Sequence, residues 1–253
     1  MNRIDYNTVS QMDLELKRQD ILASNLAASS VPGYKNEFVV SQSFQNLYDS
    51  QDALSGTNDG QVKIDYSQGE LYRTGRRLDF AIQGEGFFKV KTSDGQVLYT
   101  RNGTFCVSKD LKLVTDNGFT VLNDADSEIQ FSPDDNLDNL EVMPDGMLKL
   151  IGEPSQNYTY RQLGKINITQ ISNKEDLNRL TGNYFQIKKD ASVKPYATPK
   201  ESTVINSMLE GSNVSAIKNM TLLIESSREF EMGSRILKAL MDINNREQNA
   251  FQS

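Results

Sequence analysis

The chain has 253 residues, with 27 Lys plus Arg against 34 Asp plus Glu, a net charge of −7, one Cys, no Trp and no His. Without His there is no imidazole zinc ligand, no Ser-His or Cys-His nucleophile pair and no imidazole general base. The acidic balance argues against non-specific nucleic-acid binding, the lone Cys106 cannot close an internal disulfide, and 37% hydrophobic residues predict a thin core for this length.

The predicted elements begin with a helix over residues 6–30. Val9, Met12, Leu16, Ala23 and Leu26 space as 3 and 4 along one seam, with Gln19 as its one polar interruption and without Gly or Pro. Val31 before Pro32, followed by Gly33, predicts the stop. Asp13, Glu15, Lys17 and Arg18 interrupt the apolar positions, so no cleaved secretory signal is expected. No apolar run approaches the ~18–20 residues that span a bilayer. Residues 39–68 are polar and read as an extended connector after an N-terminal helical segment, 1–38.

A central β-rich domain is expected over 69–200. Leu78, Phe80 and Ile82 alternate with Asp79 and Ala81, and Phe88 and Val90 with Lys89 and Lys91. Asn102-Gly103 and Asn117-Gly118 read as hairpin turns. Further strands are expected near 140–143, 147–151, 163–171 and 184–188. The last segment, 201–253, holds the end of a return connector spanning 190–211 and then a C-terminal helix, with Ser212 as its expected cap. Met220, Leu223, Ile224, Phe230, Leu237 and Met241 supply its apolar face. The expected fold class is α+β, with paired, coiled-coil-like terminal helices flanking the β domain.

The candidate chemical motifs are weak. Gly84-Glu85-Gly86 runs into the strand-like Phe87-Phe88 and not into a helix, so a tight turn is expected there instead of a phosphate loop. Asp124, Asp126 and Glu128 begin like a calcium loop, but Ile129 stands where Gly is required. The acidic stretch from 113 to 148 reads as a solvated face. Carboxylate pairs suited to glycoside hydrolysis cannot be picked out among 34 acids. Cys106, between Phe105 and Val107, reads as a small buried hydrophobe. No catalytic residue, cofactor or metal site is expected.

Three segments resemble the bacterial flagellar rod and hook family. The first is Ala23-Ser24-Asn25-Leu26-Ala27-Ala28, a spacer, then Pro32-Gly33-Tyr34-Lys35; Ser24, Ala28 and Val31 depart from the family pattern. The second runs from Gly69 through Gly75, Leu78, Asp79, Gly84, Gly86 and Phe87 to Tyr99-Thr100-Arg101-Asn102-Gly103-Thr104-Phe105. The third is Leu209-Glu210-Gly211-Ser212-Asn213-Val214, with Arg228-Glu229-Phe230-Glu231 beyond it. The resemblance implies a structural, non-enzymatic subunit of the basal-body rod. The proximal-rod type is most similar, and the distal-rod or hook type comes next.

The resemblance also implies a helical polymer built with itself and other rod proteins, used for motility. It implies passage through the type III export apparatus and a place in the envelope or periplasm, with no nucleic-acid partner and no transmembrane segment. The two helical faces named above would then be the assembly interface. Two different classes stay open: a β-rich secreted binding or adhesive module, and a secreted hydrolase.

Overall fold

A computed structural model describes residues 3–40, 60–151, 160–171, 173–188 and 202–251. Most of the expected 39–68 connector, at 41–59, and residues 190–201 of the return connector lie outside the described residues. Among the described residues the chain carries two α-helices, two three-residue 3-10 helices and seventeen strands. The fold is therefore mostly β, which corrects the expected α+β class of paired helices flanking a central β domain. The reason lies in the strand lengths: they run from two to six residues. Apolar runs that short are hard to tell from loops by periodicity alone.

The chain divides into two units. The first takes Met1–Ser29, Asn36–Asp65 and Val214–Ser253. It holds helix α1 (Arg3–Ala27), the antiparallel pair β1 (Glu37–Val40) and β2 (Gln61–Ile64), and helix α2 (Ala216–Phe251). The helix α2 starts after Ser215, whose hydroxyl accepts from the Lys218 amide at 3.4 Å. The cap is thus Ser215 and not Ser212.

The second unit takes Ser30–Lys35 and Tyr66–Asn213. Its central strand is β5 (Phe87–Lys91), which pairs on one side with β6 (Val97–Thr100) and on the other with β9 (Thr120–Val121) and β13 (Ile168–Thr169). The eight-stranded antiparallel sheet around it is completed by β7 (Phe105–Val107), β8 (Leu113–Thr115), β14 (Leu177–Thr181) and β15 (Tyr184–Ile187). A second sheet joins β10 (Leu140–Val142), β11 (Met147–Ile151) and β12 (Tyr160–Lys165). Two separate pairs, β3 (Leu71–Arg73) with β17 (Met208–Glu210) and β4 (Phe80–Gln83) with β16 (Thr203–Asn206), bring the return segment back.

One core serves this unit. Phe80, Phe88, Phe105, Leu113, Leu140 and Leu148 are among its fully buried side chains. Each contributes roughly 1.5–3 kcal/mol relative to exposure. Gly118 turns the β8–β9 hairpin at φ +80°. Asn102-Gly103 makes no hairpin, because β6 pairs with β5 and β15 while β7 pairs with β8. Gly103 is instead a packing glycine: a Cβ there would lie 1.7 Å from the Phe80 carbonyl oxygen. Asp79 and Ala81 are buried along with Phe80 and Ile82, so this segment is covered on both faces. Cys106 is exposed and not buried.

Candidate assembly surface and buried clamp

The helical unit turns inward a face that overlaps only part of the apolar seam read in the sequence. On α1 the buried residues are Glu15, Leu22 and Asn25, with Met12 and Leu26 half-buried and Val9, Leu16 and Ala23 exposed. On α2 Asn219 and Ser226 are buried, Leu223, Phe230, Gly233, Leu237 and Leu240 are half-buried, and Met220, Ile224 and Met241 are exposed. Part of the seam is displaced by one residue, about 100° of helix rotation. Glu15 replaces Leu16, Leu22 replaces Ala23, and Asn219 replaces Met220.

Specific polar contacts hold this displaced seam. The Ser226 hydroxyl donates to Glu15 Oε2 at 2.6 Å. Asn25 uses both ends of its amide on one backbone: Oδ1 accepts from the Glu37 N–H at 3.0 Å and Nδ2 donates to the Glu37 carbonyl at 2.7 Å. Asn25 Nδ2 also lies 3.5 Å from Asn219 Oδ1, and Asn219 Nδ2 donates to Ser215 O at 2.9 Å. A buried amide left without these partners would cost about 1–3 kcal/mol, so one register is favoured over a slide along an apolar seam. Gly233 lets the helices approach: a Cβ there would meet Met12 Cγ at 3.2 Å. Ile217, at 80% exposure, Met220, Ile224, Met232, Ile236 and Ile243 are left facing outward.

The β unit contains a buried charge clamp built from three distant segments. Lys35 and Glu210 have fully buried side chains, with Lys35 Nζ 2.6 Å from Glu210 Oε1. Gly69 N donates to the same oxygen at 2.9 Å. Arg101 Nη1 reaches Glu210 Oε2 at 3.1 Å, and its Nη2 donates to Gly84 O at 2.8 Å. Lys35 Nζ also donates to Ser67 O at 2.6 Å. Burial pushes the Arg101 guanidinium below its ordinary value, and the Glu210 carboxylate opposes that shift. The Gly84 and Ser67 carbonyls take up further donors of the two buried cations, while Arg101 Nε is buried without a partner among the described residues.

The residues of the resembling motifs gather around this clamp or in the core beside it. Gly33 sits at φ +68°, and a Cβ there would lie 2.4 Å from Asn102 N. Its own N–H donates to Glu210 O at 2.7 Å, and Asn183 Nδ2 donates to Pro32 O at 3.0 Å. The Arg179 guanidinium covers the Tyr34 ring at 4.2 Å and donates to Lys35 O. Asn213 N donates to Tyr34 O, and its side chain reaches Ser67 at 3.1 Å. Gly86, at φ +121°, packs on Ile168, and Phe87 stacks edge-on with Phe185. Leu78 lies against the core, and buried Asp79 stands 3.5 Å from Arg76. Gly75, at φ +78°, faces open space, and Ser212 is half-buried. Val214 is buried in the helical unit.

Glu210 and Arg101 lie inside the resembling segments, yet the sequence reading did not single them out. Nothing in a sequence marks a Glu as buried when its partners lie 175 and 109 residues away. In the acidic 113–148 stretch, Glu128, Asp126 and Asp145 pair with Lys112, Lys89 and Lys165, and Asp135 pairs with Arg161. Among the described residues no group of three His, Cys, Asp or Glu side chains could hold a metal ion. No described helix is long and apolar enough to cross a membrane.

Residues 81–150 match the family model for the flagellar hook protein FlgE/F/G D1 domain, and residues 205–246 the model for the flagellar basal body rod FlgEFG protein C-terminal region. The chain is 30% identical over 245 residues to the flagellar basal-body rod protein FlgG of Agrobacterium fabrum, covering 89% of this chain and 90% of that one. It is 29% identical over 241 residues to FlgF of Buchnera aphidicola subsp. Schizaphis graminum, covering 94% and 93%. Against FlgG of Bacillus subtilis it is 26% identical over 255 residues, covering 94% of each.

Proposed function

The chain belongs to the flagellar basal-body rod protein family and is a structural subunit of the rod, and from that premise we propose how it assembles. Its helical unit is the polymerising part, and its β unit is the preformed body that the helices carry. The observation behind this reading is the outward apolar face of α2, where Ile217 is 80% and Ile224 54% exposed. Exposed apolar rows of this kind mark interaction surfaces. Neighbouring copies and other rod proteins would cover them, drawing on Val9, Leu16, Met220, Ile224 and Met241 as outer contacts. Met12, Ala23, Leu26, Leu223, Phe230 and Leu237 lie on or beside the inner seam.

In this reading the subunit transmits torque by packing and catalyses nothing. It reaches the envelope through the flagellar type III apparatus, unfolded and without a cleaved signal, and stands in the periplasmic part of the rod. The form of Leu209–Val214 and of Arg228–Met232 favours the proximal-rod position. Imaging basal bodies from a deletion strain tests the assignment, because a proximal subunit leaves no rod beyond the base. The variant Leu223→Asp is expected to abolish rods while the β unit stays folded; normal rods in that strain would overturn the helical-assembly reading.

A further inference from the structure

The helical unit carries a groove of about 430 Å³ lined by Met12, Glu15, Glu229, Phe230, Met232 and Ile236, with Gly233 beside them. We infer that this groove seats the Ile217–Met220–Ile224 ridge of α2 from a second copy of the chain. The inference deepens the assembly reading above and rests on it.

Shape and charge both favour that occupant. Ile217, Met220 and Ile224 stand at i, i+3 and i+7 on one helical face, so they form a continuous row. All three are exposed, as are Lys218 and Arg228 beside the row. Neither cation has an ion-pair partner among the described residues. The groove offers apolar walls and two carboxylates. Arg18 stands 3.6 Å from Glu15 and 3.9 Å from Glu229, which leaves one negative charge in excess. A basic-flanked apolar ridge complements that surface.

With the α2 helices of successive copies parallel, ridge and groove make a heterologous contact, and where its rotation does not close it generates an open helical polymer. The ridge centre and the groove lie ~13 residues apart on α2, so successive copies would be offset by roughly 20 Å along the helix.

Paired cysteines in rods isolated from cells carrying only the variant chain test the contact. With Cys106→Ser as background, Ile224→Cys and Ile236→Cys are placed in one chain. The two sites lie ~18 Å apart on a single helix, too far to bridge within a copy. Oxidation is expected to give a ladder of dimers, trimers and longer chains, while each single variant stays monomeric. Assembled rods without a ladder, or dimers from Ile224→Cys alone, would overturn the contact and leave the rod function standing.

Should the cysteines prevent assembly, a charge exchange decides. Glu229→Arg is expected to lower rod number about tenfold, near the cost of one misplaced charge. Adding Lys218→Glu is expected to restore it to within about twofold. No loss in the first variant, or no recovery in the second, counts against the contact. If a strain lacking the chain still builds complete rods, the function itself is wrong and this contact falls with it.

Discussion

The two units handle polar and apolar groups in opposite ways. The β unit buries its large apolar side chains in one core and closes even a Lys–Glu–Arg cluster inside it. The helical unit buries Glu15, Asn25, Asn219 and Ser226 and turns isoleucines and methionines outward. A folding unit that hides polar groups while exposing apolar ones is incomplete by itself. The β unit is a finished body, and the helical unit has a fixed register but an unsatisfied surface.

The largest effect expected from breaking this contrast falls on the clamp. Glu210→Ala strands two buried cations and should destabilise the β unit by about 3–5 kcal/mol, read by urea denaturation. Replacing all three as Lys35→Met, Arg101→Met and Glu210→Leu should lose much less, because no charge is left unpaired. Asn25→Ala comes next. It leaves the Glu37 backbone without its side-chain partner and should cost about 1–3 kcal/mol. Hydrogen exchange should show that loss in α1 and β1 and not in the eight-stranded sheet.

Smaller still is Glu85→Gln. The Lys174 hydrogen bond, followed by that of Gln170, holds the Glu85 carboxyl below its ordinary 4.5. Both partners of this ion pair are well exposed, so the change should stay below about 1 kcal/mol. Its contribution is present above the ordinary carboxyl range and fades as pH falls through the lowered folded value. A pH-stability curve of the variant should therefore converge with the parent at low pH. The smallest stability change belongs to Ile217→Ser, within about 0.5 kcal/mol for the free chain, yet rods should be lost. Stability by denaturation and rod counts by microscopy would separate there, and that separation is what an unsatisfied surface predicts.

Much of this contrast was readable from residues. Helix α1 was bounded by the Pro32-Gly33 break, and strands β4, β5, β10, β11 and β15 were visible as apolar runs. The Gly84-Glu85-Gly86 turn and the Asn117-Gly118 hairpin followed from their local chemistry. What stayed hidden depended on long-range partners. Part of the helical seam lies one residue off the apolar spacing: Leu16 and Met220 face outward while Glu15 and Asn219 pair with Ser226 and Asn25, and Met12, Leu26, Leu223, Phe230 and Leu237 stay half-buried. Short strands such as β3, β16 and β17 have too few residues to announce themselves, and so the fold class was misjudged. Lys35 stood out as part of a motif, but its burial against Glu210 and Arg101 needed the chain to be folded.

The central claim is that the outer face of α2 is completed by other subunits. Hydrogen exchange compares the free chain with isolated rods most directly, residue by residue. The account predicts amides of 217–243 that exchange readily in the free chain and become strongly protected in rods, while the strands around β5 are equally protected in both. Equal protection of α2 in the two states would contradict it.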